Sequence, residues 1–176
     1  MRLDGKVAII TGSAAGLAGR LMGFGGAAAW AFAREGAAVV ISDINQELGE
    51  QTAAQIQNFG AESIFCKLDV TSEEDWEKCV ETTIAQFGKI DILVNNAGTS
   101  SRTPIEDTTI ETWDSQMDVH AKGTFLGTRS VIPGMKHSGG GSIINVSSIF
   151  GIIGSPSSTA YHAAKGSILA FTKATA

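Results

Sequence analysis

Lys6-Val7-Ala8-Ile9-Ile10-Thr11-Gly12 is the stretch whose reading decides the fold. A short apolar run with no polar alternation is a strand covered on both faces. It halts on Gly12, and a glycine-rich stretch follows as far as Gly26. Ala27-Ala28-Ala29-Trp30-Ala31-Phe32-Ala33-Arg34-Glu35 then strings strong helix formers together and closes at Gly36. Ala37 to Ser42 repeats the apolar strand and ends on an acid, Asp43. Strand, glycine-rich turn, helix and acid-terminated strand form the outline of a dinucleotide-binding unit.

Outward from that unit the alternation continues. Leu48, Ile56 and Phe59 recur at helical spacing before Gly60. Ser63 to Leu68 reads as a third strand, followed by Asp69. Thr71-Ser72-Glu73-Glu74 has the form of a capping box led by Thr71, and its helix places Trp76, Val80, Ile84 and Phe87 on one face. Ile90 to Val94 is a fourth strand. Thr108-Thr109-Ile110-Glu111 is a second box, opening a long helix that carries Trp113, Met117, Phe125 and Ile132 and closes near Pro133-Gly134. Ser142 to Val146 is a fifth strand, and small residues lead from it to a helix bearing Tyr161 and Lys165. Right-handed crossovers then predict an α/β Rossmann-type doubly wound parallel sheet, order 3-2-1-4-5, in three αβα layers. Its crevice lies at the carboxyl ends of strands one and four. Residues 1–176 are expected to form one dinucleotide-binding domain, since no linker, repeat or low-complexity tract interrupts them.

Composition excludes several classes of partner. The net charge is −5 and no basic run occurs, which argues against nucleic acid and anionic membrane surfaces. No apolar run approaches the ~20 residues of a membrane span. Cys66 and Cys79 have neither metal-ligand spacing nor the number a disulfide framework needs, so no metal is expected. With Asp4 interrupting the N-terminal stretch, a cytoplasmic location is expected.

Glycines let backbone N–H groups approach a pyrophosphate, and a helix N-terminus adds partial positive charge. Asp43 can accept hydrogen bonds from the adenosine ribose and would repel a 2′-phosphate. No Lys or Arg stands at Ser13, Ala14 or Ile44 to receive such a phosphate, so NAD is expected over NADP. Thr11-Gly12 with Gly23-Phe24-Gly25 resembles the Thr-Gly-x-x-x-Gly-Ile-Gly motif of the short-chain dehydrogenase/reductase family. The family has three residues between its first two glycines; here ten separate Gly12 from Gly23. A second register takes Gly12 and Gly16, but it sets Ala18 in the third glycine's place and leaves Gly19, Gly23, Gly25 and Gly26 inside a helix. Each internal glycine costs about 1 kcal/mol relative to alanine, which favours the first register. That register puts Asp43 18 residues after Gly25. Whether the longer turn, Ser13 to Met22, admits a cofactor or disrupts its binding stays open at this stage. Asp69-Val70 matches the family position beside adenine. Asn95-Asn96-Ala97-Gly98 matches its Asn-Asn-Ala-Gly motif, although an Asn-Asn pair elsewhere is usually a turn. Asn96, Ala97 and Gly98 are thereby assigned to the cofactor.

Tyr161-His162-Ala163-Ala164-Lys165 carries the chemistry that the resemblance implies. Tyr161 is the only tyrosine, and Lys165 follows at i+4 on the same helical face. An ammonium one turn away favours phenolate over phenol by direct charge attraction. Ser148, thirteen residues before Tyr161, stands at the family's serine position; by itself it would read as a strand-end cap. The resemblance makes Tyr161 the general acid–base, Lys165 its partner and a ligand of the nicotinamide ribose, and Ser148 the group that orients the substrate. Where the family has an asparagine, this chain has His120. Its imidazole can hold a relay water, or it can be a packed helix residue with no role. His137 and His162 are expected at the surface.

The resemblance therefore implies an oxidoreductase moving hydride between NAD(H) and a secondary alcohol or ketone. Gly123 to Arg129 and Ile143 to Gly154 are similar to alcohol dehydrogenases and to 3-oxoacyl-carrier-protein reductases. The alternative is a catalytically impaired nucleotide-binding fragment or interaction protein. A methyltransferase has no use for the Tyr–Lys pair. A homo-oligomer, tetramer or dimer, is implied through the helices represented by Thr109–Met135 and Tyr161 onward. The family's last two strands and substrate-covering helices lie beyond Ala176, so an incomplete domain, weakly active by itself and with an exposed fifth strand, is expected.

Overall fold

A computed structural model describes residues 1–176. β1 (Val7–Thr11) pairs in parallel with β2 (Ala38–Asp43) and with β4 (Ile92–Asn95). β3 (Ser63–Lys67) lies outside β2, and β5 (Ser142–Asn145) lies outside β4. The order β3-β2-β1-β4-β5 is the one the strand–helix alternation implies. β1 is buried at every position, which is why it carries no polar alternation.

Alternate residues of β1 feed two cores, one per sheet face. Ala8 and Ile10 join Val39 and Ile41 against Trp30 of α1 (Phe24–Arg34) and Ile56 of α2 (Gln46–Asn58). Ile9, with Val40 and Leu93, faces Trp76 and Cys79 of α3 (Glu73–Phe87) and Leu126 and Val131 of α5 (Gly123–His137). α4 (Ile110–Gln116) runs through a π-helical turn, Met117–Lys122, into α5, and α6 (Thr159–Thr175) ends the chain. No helix is long and apolar enough to cross a membrane.

Several local expectations are corrected. Ser72, not Thr71, caps α3, accepting from the Asp75 N–H at 3.2 Å. Thr71 is already engaged, since its N–H and hydroxyl both donate to Asp69 Oδ1. Thr109, not Thr108, caps α4, because the Thr108 hydroxyl donates to the Pro104 carbonyl at 2.7 Å. The buried stripe of α3 is Trp76, Cys79 and Thr83, leaving Ile84 39% exposed. α5 runs past Pro133 to His137, accepting the ring on its exposed side at the loss of one backbone bond. Leu126, Val131 and Met135 face inward from the α4–α5 helix together with small and polar residues, and the aromatic ones do not. Gln116, His120, Thr124, Gly127 and Thr128 are buried, while Trp113 and Phe125 are exposed.

Candidate active site

At the carboxyl end of β1 three backbone segments touch. Gly12 has φ +65, and a Cβ there would lie 2.8 Å from the Ala97 Cα. A Cβ on Gly25 would lie 2.4 Å from the Gly12 carbonyl oxygen. Only glycine admits this approach. α1 starts at Phe24, and its N-cap, Gly23, offers no side-chain acceptor. The first-turn amides of α1 are therefore left to an outside acceptor. Gly19 stands before this helix, in a loop with φ +81.

None of the ten residues between Gly12 and Gly23 lines either cleft; Ala14, Gly16 and Ala18 bond to the neighbouring helices, while Leu21 is fully exposed. Trp30 Nε1 of α1 donates to the Gly16 carbonyl at 2.6 Å. From α2, the Thr52 hydroxyl donates to the Ala14 carbonyl at 2.6 Å, and Gln55 Oε1 accepts from the Ala18 N–H at 2.8 Å. Gly26 makes room for this crossing, because a Cβ on it would lie 2.3 Å from the Ala15 carbonyl oxygen. Sequence reasoning missed that use of Gly26; its signal was a second glycine directly after Gly25.

The Asn95–Asn96 pair at the end of β4 acts as a bolt. Asn96 Nδ2 donates to the Thr11 and Gly12 carbonyls at 2.9 and 3.2 Å. Asn95 Nδ2 donates to Asn145 Oδ1 at 2.9 Å, tying β4 to β5. Beside them opens a cleft of about 600 Å³ lined by Gly12, Gly23, Phe24, Asp43, Asp69, Val70 and the Asn96–Gly98 segment. Asp43, Asp69 and Asp118 supply its charges, and no Lys or Arg lines it. The Asp43 carboxylate is oriented by two backbone donors, Ala14 and Asn45, each at 3.0 Å.

A second cleft of about 650 Å³ shares Phe24, Asn96, Gly98 and Thr99 with the first. Ser148, Tyr161, Lys165 and His120 all line it. Lys165 Nζ lies 5.8 Å from the Tyr161 ring centroid and donates to the Val146 carbonyl at 2.8 Å. Lys165 is only 5% exposed, and burial pulls its ammonium down from 10.5 to about 8. Ser148 Oγ accepts from the Phe150 N–H at 3.2 Å, at the turn after β5. His120, 1% exposed in the π turn, sets its ring edge-on to Tyr161 with centroids 5.4 Å apart. Burial first, then the Lys165 charge, push its imidazole down to about 4.

One expectation fails here. His162 is half-buried, with Nδ1 2.8 Å from the Ser158 carbonyl and its ring stacked on Phe150. His137 is exposed. Two residues that no motif marks, Thr99 and Gln116, adjoin the site: Gln116 Nε2 donates to Thr99 Oγ1 at 2.8 Å. The glycine cradle, the uncapped helix start and the two joined clefts fit a nicotinamide dinucleotide with a small substrate beside it.

Comparison with known proteins agrees with that geometry. A family model described as short chain dehydrogenase matches residues 6–176. The chain is 43% identical over 175 residues to a cyclopentanol dehydrogenase of Comamonas testosteroni, covering 99% of this chain and 67% of the relative. It is 42% identical over 177 residues to an NADP-dependent (R)-specific alcohol dehydrogenase of Lentilactobacillus kefiri, with 99% and 67% covered. A 3-alpha-(or 20-beta)-hydroxysteroid dehydrogenase of Mycobacterium tuberculosis is 39% identical over 175 residues, with 99% and 64% covered. The chain thus spans about two-thirds of the length of these relatives.

Proposed function

We propose that this chain, which belongs to the short-chain dehydrogenase family, serves the interconversion of a secondary alcohol and its ketone with NAD(H). The observation that carries the reading is the pairing of Tyr161 with a buried Lys165 in a cleft that opens into an acidic, glycine-cradled one. Bound NAD(H) supplies the hydride acceptor or donor. Gly12, Gly23, Phe24 and Gly25 hold the pyrophosphate with the open amides of α1. Asp43 accepts from the adenosine ribose, Asp69 and Val70 flank the adenine, and Asn96, Ala97 and Gly98 form the wall of the ribose side. Lys165 and Tyr161 hold the nicotinamide ribose.

The Tyr161 hydroxyl takes the alcohol proton, or returns it to the ketone oxygen. Lys165, charged below about 8, places its ammonium beside the phenol that exchanges the proton. The Ser148 hydroxyl donates to the reacting oxygen and holds it against Tyr161. Three cleft carboxylates and no cleft cation support NAD over NADP. Exposed Ile149, Phe150, Ile152 and Ile153, directly after Ser148, support an apolar alcohol. The relatives' names favour ring alcohols within that class.

The test is NADH formation with cyclopentanol, open-chain secondary alcohols and hydroxysteroids, run on the chain and on Tyr161→Phe. The expected result is NAD-linked turnover of a ring alcohol that falls by about 10²–10⁴-fold on loss of the phenol. Undiminished turnover by Tyr161→Phe would remove the reading. NADH binding without any turnover would select the impaired nucleotide-binding alternative.

A further inference from the structure

We infer that His162 is a positioning residue for the proton-transfer pair: held by the Ser158 carbonyl, its ring braces Phe150, and Phe150 braces Ser148 and Tyr161. The kinetic consequence rests on the proposed redox reading; the brace is a property of the free protein.

The brace starts from a strained point. Ser158 is the only non-glycine residue with positive φ, +71, and it is 6% exposed. That conformation is unfavourable for a residue with a Cβ and persists where its surroundings hold it. The Thr103 carbonyl does so, accepting from the Ser158 N–H at 3.0 Å and the Thr159 N–H at 3.4 Å. The Ser158 carbonyl in turn lies 2.8 Å from His162 Nδ1. A carbonyl only accepts, so Nδ1 carries a proton. Nε2 is buried with no hydrogen-bond partner, and a bare nitrogen costs less there than an unpaired N–H. The imidazole is thereby set in tautomer and in plane.

That plane meets Phe150. The two rings stack with centroids 4.7 Å apart, inclined at 25°. Phe150 also meets Tyr161 edge-on, with centroids 6.4 Å apart. Its N–H donates to Ser148 Oγ at 3.2 Å, which leaves the serine's own proton free for the reacting oxygen.

The turn is also tied to α6 at Lys165. Nζ donates to the Val146 carbonyl, and Ser147 Oγ donates to the Lys165 carbonyl, each at 2.8 Å. Both ties precede Ser148, and anchors on one side leave a pivot. His162, three residues before Lys165, holds the far side and stops the turn from swinging. It lines neither cleft, so it acts only through these neighbours. Phenylalanine at 162 would give the same stack without an unpartnered nitrogen. What histidine adds is the bond to Ser158.

Turnover tests the line of contacts. His162→Ala should lower kcat about tenfold, with alcohol KM and NADH Kd within about twofold of the original. Phe150→Ala should do the same, and the double variant should lose no more than either single one. Nitrogen-15 NMR of histidine-labelled free protein tests the brace without turnover. His162 should show a protonated Nδ1 and a bare Nε2. Its ring protons should move downfield in Phe150→Ala, as the shielding of the stacked ring is lost.

A proton on Nε2 in place of Nδ1 overturns the inference. So do unshifted ring protons in Phe150→Ala, an unchanged kcat in His162→Ala, or additive losses of about a hundredfold in the double variant. If an alanine variant does not fold, leucine, which fills the volume without a stacking face, takes its place in the same comparison. An inactive original chain that shows the expected tautomer and ring-proton shift keeps the brace and removes the redox reading instead.

Discussion

Lys165 is the residue where stability and function pull apart. Its ammonium is buried beside Tyr161 with one hydrogen bond, to the Val146 carbonyl. The folded chain releases this proton at about 8, against 10.5 for an ordinary lysine, because burial penalises the charge. Between those values the unfolded chain binds more protons than the folded one, so this group's contribution to stability rises with pH across the window. Below about 8 the full penalty is present. Lys165→Met is therefore expected to be at least as stable as the original chain at pH 7, and the difference should shrink as pH approaches 10.5. Turnover should fall by more than about a hundredfold. Urea unfolding of both proteins at pH 7 and pH 10 checks the sign; a gap that widens with pH contradicts it. At this scale the sequence was partly legible. Tyr161 and Lys165 were visible because one turn of a helix puts i and i+4 on one face. Asp43 was visible because it ends a strand. Thr99 and Gln116 were not, because neither belongs to a spacing pattern and they meet only through the fold, seventeen positions apart.

Glycine placement shows the same division at the level of elements. The five strands followed from hydrophobic periodicity, which responds to burial over whole segments, and their order from the crossover rule; the one long helix expected after Thr109 is α4 and α5 joined by the π turn. Caps slipped by one residue where adjacent hydroxyl residues competed and a nearby acceptor took one of them. The π turn carries no periodic signature, since its inward residues are small or polar. The longer glycine turn was ambiguous because its partners, the donors Trp30 and Thr52 and the acceptor Gln55, lie on two helices. That docking can be tested with one methyl group. Alanine in a helix is ordinarily about 1 kcal/mol better than glycine. At Gly26 the Cβ would meet the Ala15 carbonyl oxygen at 2.3 Å, and overpacking of this kind costs about 1–3 kcal/mol. At Gly166, on α6, the nearest atom lies at 3.6 Å, an ordinary contact. Gly26→Ala is expected to lower the melting temperature and speed tryptic cleavage after Arg20, while Gly166→Ala raises it. Unaltered cleavage in Gly26→Ala would mean that the segment is not held on α1 and α2 as described.

Charge acts on the molecule as a whole. The net charge is −5, and three carboxylates, Asp43, Asp69 and Asp118, line the first cleft without a cation among the lining residues. A 2′-phosphate entering near Asp43 meets like charge before it meets any donor. At an effective dielectric of about 20, one unit pair about 6 Å apart costs about 3 kcal/mol, or about a hundredfold in affinity. NAD should therefore be preferred over NADP in kcat/KM by about that factor, in contrast to the Lentilactobacillus relative named as NADP-dependent. Two mechanisms could give such a preference, and salt separates them. If repulsion dominates, the ratio narrows as ionic strength rises from 0.01 to 1 M, because the screening length falls from about 30 to about 3 Å. If the preference lies in hydrogen bonds from the ribose hydroxyls to Asp43, salt leaves it nearly unchanged. The absence of any lining cation argues for repulsion. Asp43→Ser with Ile44→Arg should then invert the preference, and Asp43→Ser alone should bring the two cofactors close to parity. A ratio that persists in Asp43→Ser at high salt would place the discrimination elsewhere in the cleft.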